Sequence, residues 1–200
     1  MEKKLFENYK DDFRLGAALA GFIYDDDFTL PWMKNAGKDS EGPDGKKFPD
    51  FKNLPDKEIA AKHFNLIVAE NDTKMENVYR GPDEFNFDRA DKLVKFGKKN
   101  GQAVRWHTLV WHSQSPDWIF DADCKTAPRP KWEPGKPFVP PTPEEIAAKC
   151  TVSKEELERR LQKYIFTVGD RYKDDICSVD VVNECISDKN FKLRTIVIYN

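Results

Sequence analysis

The order in which apolar runs and helical patterns follow one another constrains this chain more than any other feature. "NLIVAEN" (65–71) is a short, branched apolar run that ends in polar residues. "FDRADKLVKFGKKNG" (87–101) then sets Ala90, Leu93, Val94 and Phe96 on one face at helical spacing, and Asn100-Gly101 is a stop signal. "QAVRWHTLVWHSQ" (102–114) reads as one strand. "SKEELERRLQKYIFTVGDRY" (153–172) reads as a helix, opened by a capping box in which Glu156 reaches back to Ser153. "ICSVDVVNE" (176–184) is a strand again, and "FRLGAALAGF" (13–22) is an earlier candidate. Strand, helix, strand, helix, strand is the mark of βαβ units on a parallel sheet, so the fold class is α/β. The strands look apolar throughout, as expected where both faces are covered.

Two segments interrupt the alternation. Residues 35–51 are rich in Gly, Asp and Lys, and residues 125–143 are dense in proline. A domain linker or polyproline ligand is one reading. A long βα loop within one domain is the better one, because the alternation continues in step on both sides. At 200 residues, 39% hydrophobic and 34% charged, the chain is long enough for one domain with a real core. Its 33 basic and 35 acidic residues form no basic stripe, which makes nucleic acid a poor partner. No apolar run is long enough to cross a bilayer, so no membrane partner is expected. The N-terminus has no apolar h-region or cleavage site, which leaves a cytoplasmic protein, a processed chain and a fragment all open. Cys124, Cys150, Cys177 and Cys185 contain no C-x-x-C pair. Neither a zinc site nor a disulfide framework is indicated.

Chemically able residues gather at the C-terminal ends of three successive strands. They are Glu70, Asn71 and Lys74, then His107, Trp111, His112 and Gln114, then Asn183 and Glu184. Ligands bind at that end of parallel α/β sheets. Each group also has a plainer reading. Glu70 and Lys74, four apart, could be a solvated helix pair. His107 and His112, five apart on one strand, would point to opposite faces, which argues against shared metal ligation. His63, at a helix end, reads as structural. Trp111 could be core, and Trp118 and Trp132 could be core lids or sugar platforms. Glu184 could sit in a structural ion pair, yet a buried carboxylate after Asp-Val-Val is costly unless paired or functionally protonated. Glu, Asn, His and Trp together suit carbohydrate: hydroxyls need dense hydrogen bonding and C–H faces need flat rings. Glycosidic cleavage needs two carboxyl groups flanking the bond.

Three blocks carry a family resemblance. "AENDTKMENV", "VRWHTLVWHSQSPDWIF" and "VDVVNECISD" resemble the E-N-x-M-K, R-G-H-T-L-V-W-H-S-Q-x-P-x-W and W-D-V-V-N-E-A blocks of glycoside hydrolase family 10, the endo-1,4-β-xylanases. The resemblance runs from residue 6 or so to residue 193. It implies a (β/α)8 TIM barrel and retention of configuration, with xylan and xylo-oligosaccharides as partners and with no metal or cofactor. It implies that Glu184 is the general acid/base, protonated before the first step. Asn183 would hydrogen-bond the 2-hydroxyl of the sugar under attack. His107, Trp111 and Gln114 would shape that subsite, and Glu70, Asn71 and Lys74 would hold the next sugar.

The sequence departs from the family pattern in four respects. Trp106 stands where the family has Gly, Val179 where it has Trp, and Thr73 where it has Met. The fourth departure is larger. A (β/α)8 barrel takes about 250 residues, whereas about four βα units are legible here. The family nucleophile, a Glu in a T-E-x-D-type block, has no counterpart in the sequence. Residues 1–200 are therefore expected to be the N-terminal part of one catalytic domain. That part would be inactive alone, or active only with a second polypeptide supplying the rest of the barrel. A non-catalytic xylan-binding protein and a related β-glycanase such as a cellulase are the competing expectations.

Overall fold

The computed structural model describes residues 3–26, 55–125, 150–187 and 191–193. Loop 35–51, residues 126–143 of the second loop, Trp132 and Asp188 lie outside the described residues. In chain order the strands are β1 Gly16–Leu19, β2 Leu66–Ala69, β3 Tyr79–Gly81, β4 Glu84–Phe85, β5 Ala103–Trp106, β6 Val110–Trp111, β7 Ser178–Val179 and β8 Val182–Asn183. The helices are α1 Gly21–Tyr24, α2 Asp56–His63, α3 Met75–Val78, α4 Asp88–Asn100 and α5 Lys154–Tyr172. The chain divides into two compact units. The first comprises Met1–Thr73, Phe87–His107 and Asp174–Val179; the second comprises Lys74–Asn86, Thr108–Lys173 and Asp180–Asn200.

In the first unit, β1, β2, β5 and β7 form one sheet in that order, and every neighbouring pair is parallel. This chain-order, all-parallel pairing is what successive βα units build. Ile67, Ala69, Val104 and Trp106 from the strands are buried together with Ala90, Leu93 and Val94 from α4. Each large apolar side chain so buried contributes about 1.5–3 kcal/mol. Helix α4 approaches the sheet through Gly97, where an added Cβ would lie 2.7 Å from Val104 Cγ2 and 3.3 Å from Ile67 Cδ1. Gly101 caps the helix in the left-handed region at φ 66°. The next residue, Gln102, donates its Nε2 to the carbonyls of Ala60 and Phe64 at 2.8 and 2.9 Å. His63 has the structural role expected of it, its Nδ1 accepting from the Leu5 N–H across 3.2 Å. Behind β2, Asp72 accepts from the Tyr24 hydroxyl at 2.5 Å and from Arg89 Nη1 at 2.9 Å. Burial, with Asp72 beside it, pushes the Tyr24 phenol well above its ordinary range.

The second unit packs α5 around an aromatic cluster. Tyr79 stacks on Phe85 and Tyr164, with ring centroids at 4.4 and 5.6 Å, and meets Trp118 edge-on at 4.7 Å. Trp118 Nε1 donates to the Tyr79 carbonyl across 3.2 Å. Buried Arg160 donates through Nη1 to the carbonyls of Trp118, Ile119 and Asp121 at 2.8–3.0 Å. Ser153 caps α5 as expected, accepting from Glu156 N at 3.2 Å. The reciprocal half of the capping box is not where the sequence reading put it. The Glu156 carboxylate is taken instead by Arg159 and Arg160, at 2.7–2.8 Å.

Three strand expectations need correction. Segment 102–114 is two strands, β5 and β6, with a break at 107–109, and segment 176–184 likewise splits into β7 and β8. Threonine hydroxyls take a carbonyl at each break. The His107 carbonyl accepts from Thr73 Oγ1, and the Asp180 carbonyl accepts both Thr108 Oγ1 at 2.8 Å and Leu109 N at 3.0 Å. Segment 13–22 gives only β1 before turning into the helix α1. Beyond the break, β6 and β8 pair in parallel, Val110 with Val182 and Trp111 with Asn183. Trp106 pairs with Val179 upstream, so between the two pairings the first chain segment carries one residue more than the second.

Candidate active site

Glu184 is the first residue after β8 and has a left-handed backbone, φ 50°, which aims its side chain away from the strand path. The β6–β8 pairing sets Trp111 beside Asn183, and so next to Glu184. Trp111 Nε1 donates to Glu184 Oε2 across 2.9 Å, and His112 Nε2 lies 3.7 Å from the same oxygen. The Glu184 side chain is 49% exposed, so the expected burial penalty does not apply to it. What the structure provides instead is a half-exposed carboxylate whose Oε2 accepts from the Trp111 indole.

Lys74 caps the N-terminus of α3 and is 7% exposed. Its Nζ donates to Gln114 Oε1 at 2.6 Å and lies 4.7 Å from the centre of the Trp111 ring. A desolvated ammonium over an indole gains about 2 kcal/mol from the ring's negative face. The solvated Glu70–Lys74 helix pair is thereby excluded. Gln114 has φ 49°, its Nε2 donates to Glu76 Oε1 at 3.3 Å, and its carbonyl accepts from Glu76 N at 3.0 Å. The Trp111 carbonyl in turn accepts from Ser115 Oγ at 2.9 Å.

The second unit thus brings together Lys74, Trp111, Gln114 and Glu184, with Asn183 beside them. Glu70, Asn71 and His107 belong to the first unit. There Glu70 is exposed, with its N–H donating to the Leu19 carbonyl at 2.9 Å, while Asn71 and His107 are half-buried. His107 and His112 do not share one strand, so the alternation argument about their faces does not apply. Among the described residues no cluster of three or more His, Cys, Asp or Glu could hold a metal ion, and no helix is long and apolar enough to cross a membrane. The four cysteines are free thiols. Trp118 is core rather than a sugar platform. Glu76 was not singled out from sequence; its one signal is its place two residues after Lys74 in the same block.

Residues 46–200 match the family described as "Glycosyl hydrolase family 10". "Endo-1,4-beta-xylanase B" of Paenibacillus barcinonensis is 40% identical over 132 residues, which make up 66% of this chain and 32% of that protein. "Endo-1,4-beta-xylanase A" of Caldicellulosiruptor saccharolyticus is 31% identical over 190 residues, 94% of this chain and 40% of that protein. The crystal structure of xylanase B from Clostridium stercorarium F9 superposes with a TM-score of 0.64 at 30% identity, covering 98% of this chain and 46% of that one. A mutant solved in complex with xylotriose gives 0.62 at 31% identity, covering 96% and 42%. The chain therefore spans 32–40% of the length of these curated relatives and less than half of the solved chains.

Proposed function

This chain belongs to glycosyl hydrolase family 10, a family of glycoside hydrolases, and from that premise we propose that it supplies the acid/base side of a retaining endo-1,4-β-xylanase. Its four parallel strands are part of a (β/α)8 barrel. The observation that carries the reading is the anchoring of Glu184 by Trp111 in the unit where Lys74 and Gln114 also meet.

The chemistry follows from the donor set. An indole N–H can only donate, so Glu184 Oε2 is held as an acceptor. The Glu184 carboxyl protonates the glycosidic oxygen as the bond breaks. In the second step the carboxylate takes a proton from water, still oriented by Trp111. Asn183 hydrogen-bonds the 2-hydroxyl of the sugar under attack. Trp111 and Gln114 shape that subsite, and Lys74 holds the next sugar. We assign the nucleophilic carboxylate to a strand outside these 200 residues, because their sequence holds no T-E-x-D-type block. Residues 1–200 are then the N-terminal part of one catalytic domain, with little or no turnover of their own. A second reading, a non-catalytic binder of xylo-oligosaccharides, is favoured by the assembled Lys74–Trp111–Gln114 group.

The test is xylan hydrolysis and xylotriose calorimetry on the chain alone and after adding the rest of a family 10 barrel. Binding without turnover alone, and turnover only after complementation, is the expected result. Turnover by the 200 residues alone that Glu184→Gln abolishes would overturn the outside nucleophile. Binding that never becomes turnover would favour the second reading, and no binding at all would sink both.

A further inference from the structure

Glu76, in the first turn of α3, has no part in the chemistry assigned above, yet it grips Gln114 twice. Its backbone N–H donates to the Gln114 carbonyl at 3.0 Å, and its Oε1 accepts from Gln114 Nε2 at 3.3 Å. A glutamine amide has an accepting end and a donating end of nearly the same size, so half a turn about its last bond exchanges them. A carboxylate can only accept, and so it selects the Nε2 end. The Oε1 end is left facing Lys74 Nζ, 2.6 Å away. Flipped, the amide would set its NH2 group against the ammonium, donor against donor. From Lys74 the contacts continue to the Trp111 ring at 4.7 Å, and from the indole N–H to Glu184 Oε2 at 2.9 Å.

We infer that Glu76 is a positioning residue: it fixes the orientation of the Gln114 amide and, through it, the Lys74 ammonium and the Trp111 ring before any sugar arrives. The consequence for binding rests on the reading that Lys74 and Gln114 receive a xylosyl unit; the orienting role does not.

Three variants of the full chain test it. The readouts are the Gln114 side-chain amide and Trp111 indole N–H resonances, together with xylotriose calorimetry. Glu76→Ala should move both sets of resonances and weaken xylotriose binding about tenfold, the loss of one hydrogen bond to a charged group. Glu76→Gln keeps an Oε1 that accepts from Nε2, and should restore the resonances and bring affinity to within about threefold of the parent. Should Glu76→Ala lose its folded dispersion, Glu76→Asp reads the same point, since it draws the carboxylate back by one methylene and must move the same resonances. Unmoved resonances in Glu76→Ala or Glu76→Asp overturn the inference, as does a Glu76→Gln chain as impaired as Glu76→Ala. If the resonances move as expected while the parent chain binds no xylotriose, the orienting role stands and it is the ligand reading that fails.

Discussion

Trp111 and Glu184 are 73 residues apart in sequence, yet the indole nitrogen of one lies 2.9 Å from a carboxylate oxygen of the other. Backbone pairing sets that distance, because Trp111 is the register partner of Asn183. Glu184→Gln keeps an oxygen for the indole, while Glu184→Ala does not. The Trp111 indole N–H resonance should therefore hold its position in the first variant and move in the second. In the complemented enzyme both should lose about 10²–10⁴-fold in xylan turnover, the usual worth of a general acid/base. An unaffected rate in Glu184→Gln would show that the proton comes from elsewhere.

Glu156 links stability to pH. Its hydrogen bonds from Arg159 and then Arg160 hold it down at about 2, against an ordinary 4.5. A carboxylate depressed in the folded state binds protons more weakly there than when unfolded. Its contribution is therefore complete above pH 4.5 and is lost as pH falls toward 2. Urea midpoints measured between those limits should fall less steeply with acid in Glu156→Gln than in the parent. Parallel acid limbs would show that this pair does not set the slope.

Trp106 and Val179 are register partners on β5 and β7, a fully buried ring beside a small side chain. Trp106→Gly should cost about 3–5 kcal/mol or more. Adding Val179→Trp to it should recover part of that loss, giving a coupling of about 0.5–3 kcal/mol in a double-mutant cycle. Strict additivity would mean that the two rings do not fill the same space.

At Gly97 two effects oppose each other. Ala would raise helix propensity by about 1 kcal/mol, but its Cβ would press on Val104 Cγ2 at 2.7 Å. Overpacking of this kind costs about 1–3 kcal/mol. Gly97→Ala should therefore lower the urea midpoint, and a raised midpoint would show that β5 yields easily.

The α/β alternation and the limits of α4 were legible because burial and helix stop signals are local. Ala90, Leu93 and Val94 sit on one face, and Gly101 supplies the left-handed cap. The break at 107–109 was not legible. It contains neither Gly nor Pro, and it is marked by a hydroxyl reaching in from Thr73 to the His107 carbonyl and one reaching out from Thr108 to the Asp180 carbonyl. Glu156 misled for a related reason: arginines three and four residues on offer it a charged partner that the backbone N–H of Ser153 cannot match. Lys74, Trp111, Gln114 and Glu184 could be named from residue type and block order. That Lys74 lies over Trp111 could not, because no spacing in the sequence encodes a contact between the residue that caps α3 and one on β6.

The surplus residue between the Trp106–Val179 and Val110–Val182 pairings bears on how this chain tolerates change. A copy that lost one residue among 107–109 could keep every polar group named above, and by residue type the loss would look trivial. Yet its two segments would then run in step, without the offset that precedes the pairing of Trp111 with Asn183. A single-codon deletion here would remove that surplus, so the inheritance of the site depends on a count of residues as well as on their kinds.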